Sequence, residues 1–150
     1  MTKPMAFAVD RSRTIISSLI HGRGVSGLDV AWLRREVFAD GVVSREAAEE
    51  LFAVAGADVA KARAWTEFLV EMITEHVLWQ SRPAGVLGED AAAWLIAQVD
   101  AAKSADALAA LMNVLAEAHR VPQWFIDAAR ARALRGWLGV DAALGIALAG

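Results

Sequence analysis

A twelve-residue segment of this sequence recurs 44 residues further along the chain. Gly41-Val-Val-Ser-Arg-Glu-Ala-Ala-Glu-Glu-Leu-Phe52 returns as Gly85-Val-Leu-Gly-Glu-Asp-Ala-Ala-Ala-Trp-Leu-Ile96, and five of the twelve positions are identical. Each copy has the pattern of a glycine turn, a helix start and an amphipathic helix. Repeats of this kind are typical of stacked helix pairs, in which one unit buries its apolar face only against the next. The repeat therefore predicts an architecture and says little about chemistry.

Helical periodicity extends through almost the whole chain, while alternation typical of strands is nearly absent. No low-complexity linker divides the 150 residues. We therefore predict an all-α fold, a single-domain bundle of six to eight helices built on a duplicated helix–turn–helix hairpin. The repeat-like units cover about residues 28–56 and 65–99, and a C-terminal helical extension covers 104–150. Weaker patterns predict a first helix over roughly 9–21 and a terminal one over 137–150.

Polar residues at turn positions predict where several of these helices begin. Ser26 opens a capping-box pattern, and Ser44 and Ser104 each precede an apolar periodic stretch. Asp58 is the predicted N-cap of the longest helix, which should run to about Gln80.

Composition and charge exclude several classes of protein. The formal net charge is −3, from 15 basic and 18 acidic residues, which gives no electrostatic case for nucleic acid. The sequence has no cysteine, so disulfides and thiolate metal sites are excluded. No uncharged apolar run approaches the roughly 18 residues needed to span a bilayer, and the N-terminus does not resemble a signal peptide. These features predict a cytoplasmic, bacterial-type protein without a membrane span.

The segment Asp40-Gly41-Val42-Val43-Ser44 matches the centre of an EF-hand calcium loop. A glycine allows the sharp turn there, and oxygen-bearing side chains surround the ion. The flanking ligand positions, however, fall on Phe38 and Ala47, whereas a hard cation needs about six oxygens. The second copy has no ligand at either end. These residues favour a plain helix–turn–helix.

The run Ala39-Asp-Gly-Val-Val-Ser-Arg-Glu46 between two helical stretches resembles the tellurite-resistance TerB-like helical family. The resemblance covers about 25 residues around the first repeat. It implies a cytoplasmic all-α bundle in a stress-response setting, with a divalent metal ion held by acidic residues near the turn. Asp40 and Glu46 are the residues to which that role would carry over, although the second repeat has Ala84 in place of the aspartate. The chain also resembles bacterial proteins with EF-hand-like helical repeats, and both interpretations stay open.

Few side chains elsewhere suggest a reaction. The three histidines lie apart in the sequence, without the spacing of a metal-binding helix pair, and no nucleophile elbow or phosphate-binding loop occurs. Glu67, Glu71 and Glu75 lie at intervals of four and should share one helix face. A solvated face is one interpretation of that spacing, and a partner-binding face is the other.

Tryptophan is the most informative residue type for function, since six occur beside no tyrosine. Tryptophan is enriched both in cores and at binding hot spots. We therefore predict a non-enzymatic interaction or scaffold protein that needs no cofactor, acting through an apolar surface that bears Trp79, Trp94, Trp124 and Trp137. Its partner would be another protein or a second copy of the chain. The alternative is a TerB-like protein with a metal ion near Asp40.

Overall fold

The computed structural model describes residues 24–135, which form six α-helices around one apolar core. The helices are α1 (Gly27–Trp32), α2 (Arg45–Gly56), α3 (Arg63–Thr74), α4 (Glu89–Ala102), α5 (Ala105–Glu117) and α6 (Gln123–Arg135). The predicted all-α bundle is confirmed for this part of the chain, which contains no strand. The predicted helices over 9–21 and 137–150 lie outside the described residues.

Serine side chains start three of the helices, as the sequence predicts. The Ser26 hydroxyl accepts a hydrogen bond from the backbone N–H of Asp29 at 3.1 Å, and the Asp29 carboxylate accepts one from the backbone N–H of Ser26 at 2.9 Å. Ser44 and Ser104 cap α2 and α5 in the same way, each at 3.1 Å. Such caps satisfy N–H groups that the first helical turn leaves without a partner.

The helix that was predicted to be the longest starts later than predicted. Helix α3 begins at Arg63 and not at Asp58, because the chain between them pairs with the segment that precedes α1. Val25 donates its N–H to the carbonyl of Ala60 at 2.8 Å, and its own carbonyl accepts from Ala62 at 2.8 Å. This long-range backbone pairing holds the chain extended where local preferences favour a helix.

A second pairing of the same kind joins the chain before α4 to the chain before α6. The backbone N–H of Leu87 donates to Arg120 at 2.9 Å, and that of His119 donates to Gly85 at 2.8 Å. We call these two short parallel contacts the backbone ties; they are centred on Val25–Lys61 and Val86–Arg120. The chain between the two ends of the first tie forms α1 and α2, and α3 follows it. The chain between the two ends of the second tie forms α4 and α5, and α6 follows it.

Helices α1 and α3 both end in one wide π-helical turn, over Leu33–Val37 and Glu75–Trp79. In each case a backbone N–H reaches a carbonyl five residues earlier, Phe38 to Leu33 at 2.9 Å and Gln80 to Glu75 at 2.8 Å. A turn of this width changes which side chains face a neighbouring helix, and it is frequent at functional positions.

The two copies of the sequence repeat bury equivalent positions and pack against each other. Val43 and Leu87 are both buried, as are the further pairs Ala48 with Ala92 and Leu51 with Leu95. Helices α2 and α4 meet where the rings of Phe52 and Trp94 lie edge to face, 5.9 Å apart. The glycines that lead the copies differ, since Gly41 is exposed whereas Gly85 is buried against His119.

Candidate functional site

A groove of about 440 Å³ lies between α3 and α5 on the face away from the core. Helix α3 and its π-helical turn supply one wall and α5 supplies the other. Its lining consists of Thr66, Glu67, Val70, Glu71, Thr74, Glu75, Trp79, Asn113 and Glu117. Four of these nine side chains are carboxylates and none is basic. We call this feature the acidic groove.

Hydrogen bonds between the two helices fix the base of the acidic groove. At one end, Thr66 donates to Asp106 at 2.9 Å. In the middle, Asn113 donates to the hydroxyl of Thr74 at 2.8 Å, and Thr74 is only 3% exposed. At the other end, the indole N–H of Trp79 donates to Glu117 at 3.0 Å. The groove is therefore largely pre-formed, which lowers the entropic cost of binding a ligand.

The negative charge of the acidic groove is compensated at one end and not at the other. Arg34 holds Glu71 through two hydrogen bonds of 2.9 and 3.0 Å, and Arg63 lies 3.6 Å from Glu67. Glu117 accepts only from neutral donors, Trp79 and Asn113. Glu75, which is half-buried, has no ion-pair partner within residues 24–135. Among the described residues, no basic side chain pairs with the two carboxylates at the end beside Trp79.

The turn at Asp40, where the resemblance would place a metal, is exposed and is closed by its own hydrogen bond. The Asp40 carboxylate accepts from the backbone N–H of Val42 at 3.0 Å, a local turn that needs no ion. Glu46 is exposed on the first turn of α2. In the described part of the chain, no three histidine or acidic side chains converge as metal ligands.

The turn before α2 is held to the end of α3 by the side chain of Gln80, which pairs with the backbone of Val43 as a neighbouring β-strand would. The amide of Gln80 accepts from the N–H of Val43 at 2.7 Å and donates to its carbonyl at 2.8 Å. His76 also donates from Nδ1 to that carbonyl at 2.8 Å, and its ring lies 5.3 Å from that of Trp94. His76 is thus a hydrogen-bonded structural residue. The sequence carried no signal for these contacts, because Gln80 and His76 lie 37 and 33 residues away from Val43.

The four tryptophans singled out from the sequence have different surroundings. Trp94 is 8% exposed and donates to Glu49 at 2.9 Å, so it belongs to the core between α2 and α4. Trp79 is half-buried and lines the acidic groove. Trp124 is 40% exposed on α6, where its indole donates to Glu89 at 2.8 Å. Trp137 lies outside the described residues.

Of the basic residues in the last third of the chain, Arg132 is engaged inside the bundle. It makes two hydrogen bonds of 2.7 Å to Asp100, which join α6 to α4. Hydrogen bonding to Asp100, despite partial burial, raises the pKa of Arg132 above its usual value. The guanidinium therefore stays charged at every pH below that value, and its contribution to stability is present throughout the neutral range. This residue is a structural tie and adds no surface for an anionic ligand.

Comparison with family models, with curated proteins and with solved structures gives no match. The resemblance to the TerB-like family therefore stays a prediction. Within residues 24–135 no helix has both the length and the apolar character that a bilayer crossing requires.

Sequence reasoning placed Glu67, Glu71 and Glu75 on one face, and all three line the acidic groove. It did not find the opposite wall formed by Asn113 and Glu117. Their signal is a pair of polar residues four positions apart in the mostly apolar and alanine-rich stretch that forms α5. That pattern identifies an exposed edge, although it does not say which helix lies beside it.

Proposed function

We propose that this protein is a non-enzymatic interaction module that binds a segment of another protein in the acidic groove. The observation that carries the proposal is the pre-formed groove between α3 and α5, which combines an indole wall with open carboxylates. Aromatic side chains in a concave, partly desolvated setting are favoured anchors for protein partners. The apolar portion of the lining supplies contact area, and the carboxylates supply selectivity for the partner's charge.

Of the predicted interaction residues, Trp79 is the one we assign to binding. Trp94 is buried, so it supports the packing of α2 on α4 and offers no surface to a partner. Trp124 is exposed, but it does not line the acidic groove. An interaction module also accords with a groove whose polar groups form hydrogen bonds with one another across α3 and α5.

Site-specific photo-crosslinking in cells tests this function. A photo-reactive amino acid replaces Glu67 on the rim of the acidic groove, and in a control chain it replaces Glu46, which is exposed on α2 outside the groove. We expect a discrete adduct from position 67 and none from position 46. Excess wild-type protein should compete with adduct formation, and the Trp79→Ala variant should compete poorly. Equal labelling from both positions, or no adduct from position 67, would refute an interaction site in the groove.

The mass of the adduct also tests the nature of the partner. An adduct of twice the chain mass would mean self-association, whereas any other discrete mass would identify a different protein. The metal-binding alternative has its own measurement, because a stoichiometric rise in melting temperature with calcium or zinc, lost in Asp40→Ala, would favour it.

A further inference from the structure

The acidic groove has features that specify the chemistry of its occupant beyond the general function proposed above. It is a channel between two helices, with Val70 and the Trp79 ring as apolar lining and carboxylates along the rim. Its length follows α3 from Thr66 to Trp79, about 20 Å at the helical rise of ~1.5 Å per residue. An extended peptide of about six residues, or nearly four turns of a helix, spans that length.

The charges along the groove differ from one end to the other. At the Thr66 end, Arg63 and Arg34 already lie against Glu67 and Glu71. At the Trp79 end, Glu75 and Glu117 form no ion pair with any described residue. Arg82, which is nearby in sequence, instead donates to the carbonyl oxygens of Trp79 and Ser81. The place for an added positive charge is therefore the Trp79 end.

The aromatic ring at that end favours the same chemistry. A cation placed over the face of an indole is attracted by the ring quadrupole, and the aliphatic stem of lysine or arginine can lie along an apolar wall. The chain already uses such a contact elsewhere on α3, where the Arg34 guanidinium lies 5.0 Å from the centre of the Phe68 ring while it binds Glu71. An incoming side chain beside Trp79 and Glu75 would reproduce that arrangement.

We propose that the occupant of the acidic groove is a basic segment of a partner protein, with a lysine or arginine side chain between Trp79 and the carboxylates of Glu75 and Glu117. This proposal rests on the proposed function, since it names the partner's chemistry at the same site. Charge complementarity is its basis: the partner supplies the positive charge that the lining lacks. Carboxylates of a partner would be repelled by those on the rim, so the groove selects against acidic segments.

Fluorescence anisotropy with synthetic peptides tests the proposal on the purified full chain. The probe is a fluorescein-labelled peptide with lysine at every fourth position on an alanine and leucine background, and the control peptide has glutamate in place of each lysine. We expect the lysine peptide to bind and the glutamate peptide not to bind. Binding should weaken as sodium chloride is raised, because partly exposed ion pairs are screened by salt.

Variants locate the bound peptide. Glu75→Gln removes the unpaired charge without changing size and should weaken binding about fivefold, the loss expected for one partly exposed ion pair. Glu46→Gln makes the same change outside the groove and should leave binding unchanged. Both positions lack an ion-pair partner among the described residues, so both variants should stay folded, with a slightly lower urea midpoint for Glu46→Gln because Glu46 lies in the first turn of α2. Equal weakening by the two variants, or equal binding of both peptides, would overturn the proposal.

Two further outcomes separate this proposal from the function on which it rests. If position 67 crosslinks to a partner while the lysine peptide does not bind, the groove is an interaction site and the partner's chemistry is wrong. If the wild-type chain forms a concentration-dependent dimer that Glu75→Gln abolishes, the occupant is a second copy, and a separate basic partner is refuted.

Discussion

Gln80 should contribute more to stability than a half-buried polar residue usually does. Its amide forms two hydrogen bonds with the backbone of Val43, of 2.7 and 2.8 Å, and Val43 is fully buried. In Gln80→Ala, the Val43 carbonyl keeps its bond from His76, whereas the N–H loses the one acceptor that it has within residues 24–135. We therefore expect an asymmetric effect on the two backbone groups.

The expected magnitude follows from that asymmetry. A neutral hydrogen bond contributes about 1 kcal/mol net, and a buried N–H left without an acceptor costs about 1–3 kcal/mol. Since the adjoining Val42 is exposed, water can partly replace the lost acceptor, and we expect a total loss of about 2–3 kcal/mol. For a chain of this size that corresponds to a fall in melting temperature of roughly 6–10 °C.

Urea denaturation followed by circular dichroism measures this effect. The matched control is Gln98→Ala, which makes the same truncation at a half-buried position on α4 where the side chain has no hydrogen bond among the described residues. The control should lose less than about 0.5 kcal/mol. Gln80→Glu gives a third comparison, since it keeps an acceptor for the N–H but places negative charge beside the Val43 carbonyl. If the two alanine variants have the same unfolding midpoint, the proposed role of Gln80 is wrong.

Two further predictions concern the glycine turns and the tryptophans. Gly85→Ala should lower the free energy of unfolding by about 3 kcal/mol, because φ is +83° and the new Cβ would lie 2.7 Å from Nδ1 of His119. Gly41→Ala, where φ is +75° but no atom lies within 4 Å of the new Cβ, should lower it by about 1 kcal/mol. Equilibrium unfolding should show part of the larger loss recovered in Gly85→Ala/His119→Ala, and no recovery would refute a steric cause. Trp94→Ala should cost about 3–5 kcal/mol by opening a cavity in the core, while Trp124→Ala should change stability by less than about 1 kcal/mol. Equal unfolding midpoints for the two tryptophan variants would contradict their different burial.

The parts of the fold that follow from short-range pattern could be predicted from the sequence. The caps at Ser26, Ser44 and Ser104 and the equivalent burial of the two repeat copies depend on neighbours within a few residues. The delayed start of α3 could not be predicted, because it is imposed by Val25, which lies far back in the chain. The π-helical turns also escaped prediction, since the residues that form them have ordinary helical preferences.

The acidic groove could likewise be predicted only in part. Its α3 wall follows from the spacing of Glu67, Glu71 and Glu75 on one helix. Its other wall depends on which helix lies beside α3, and no local pattern gives that information. The burial of each tryptophan could not be predicted from the sequence either. Trp94 and Trp79 both lie on helices with an apolar stripe, and only their tertiary neighbours distinguish them.

The backbone ties have a consequence for the order in which the chain folds. Val25 and Lys61 are 36 residues apart, and Val86 and Arg120 are 34 apart, so each tie closes a long loop. Closing such a loop costs more entropy than pairing adjacent helices, and contacts of this kind form late. We expect the helical hairpins to gain protection first in pulsed hydrogen exchange, with the amides of Val25 and Leu87 protected in a later, slower phase. The backbone ties would then stabilise helical hairpins that have already formed. Early protection of those two amides would show instead that the ties form first and nucleate folding.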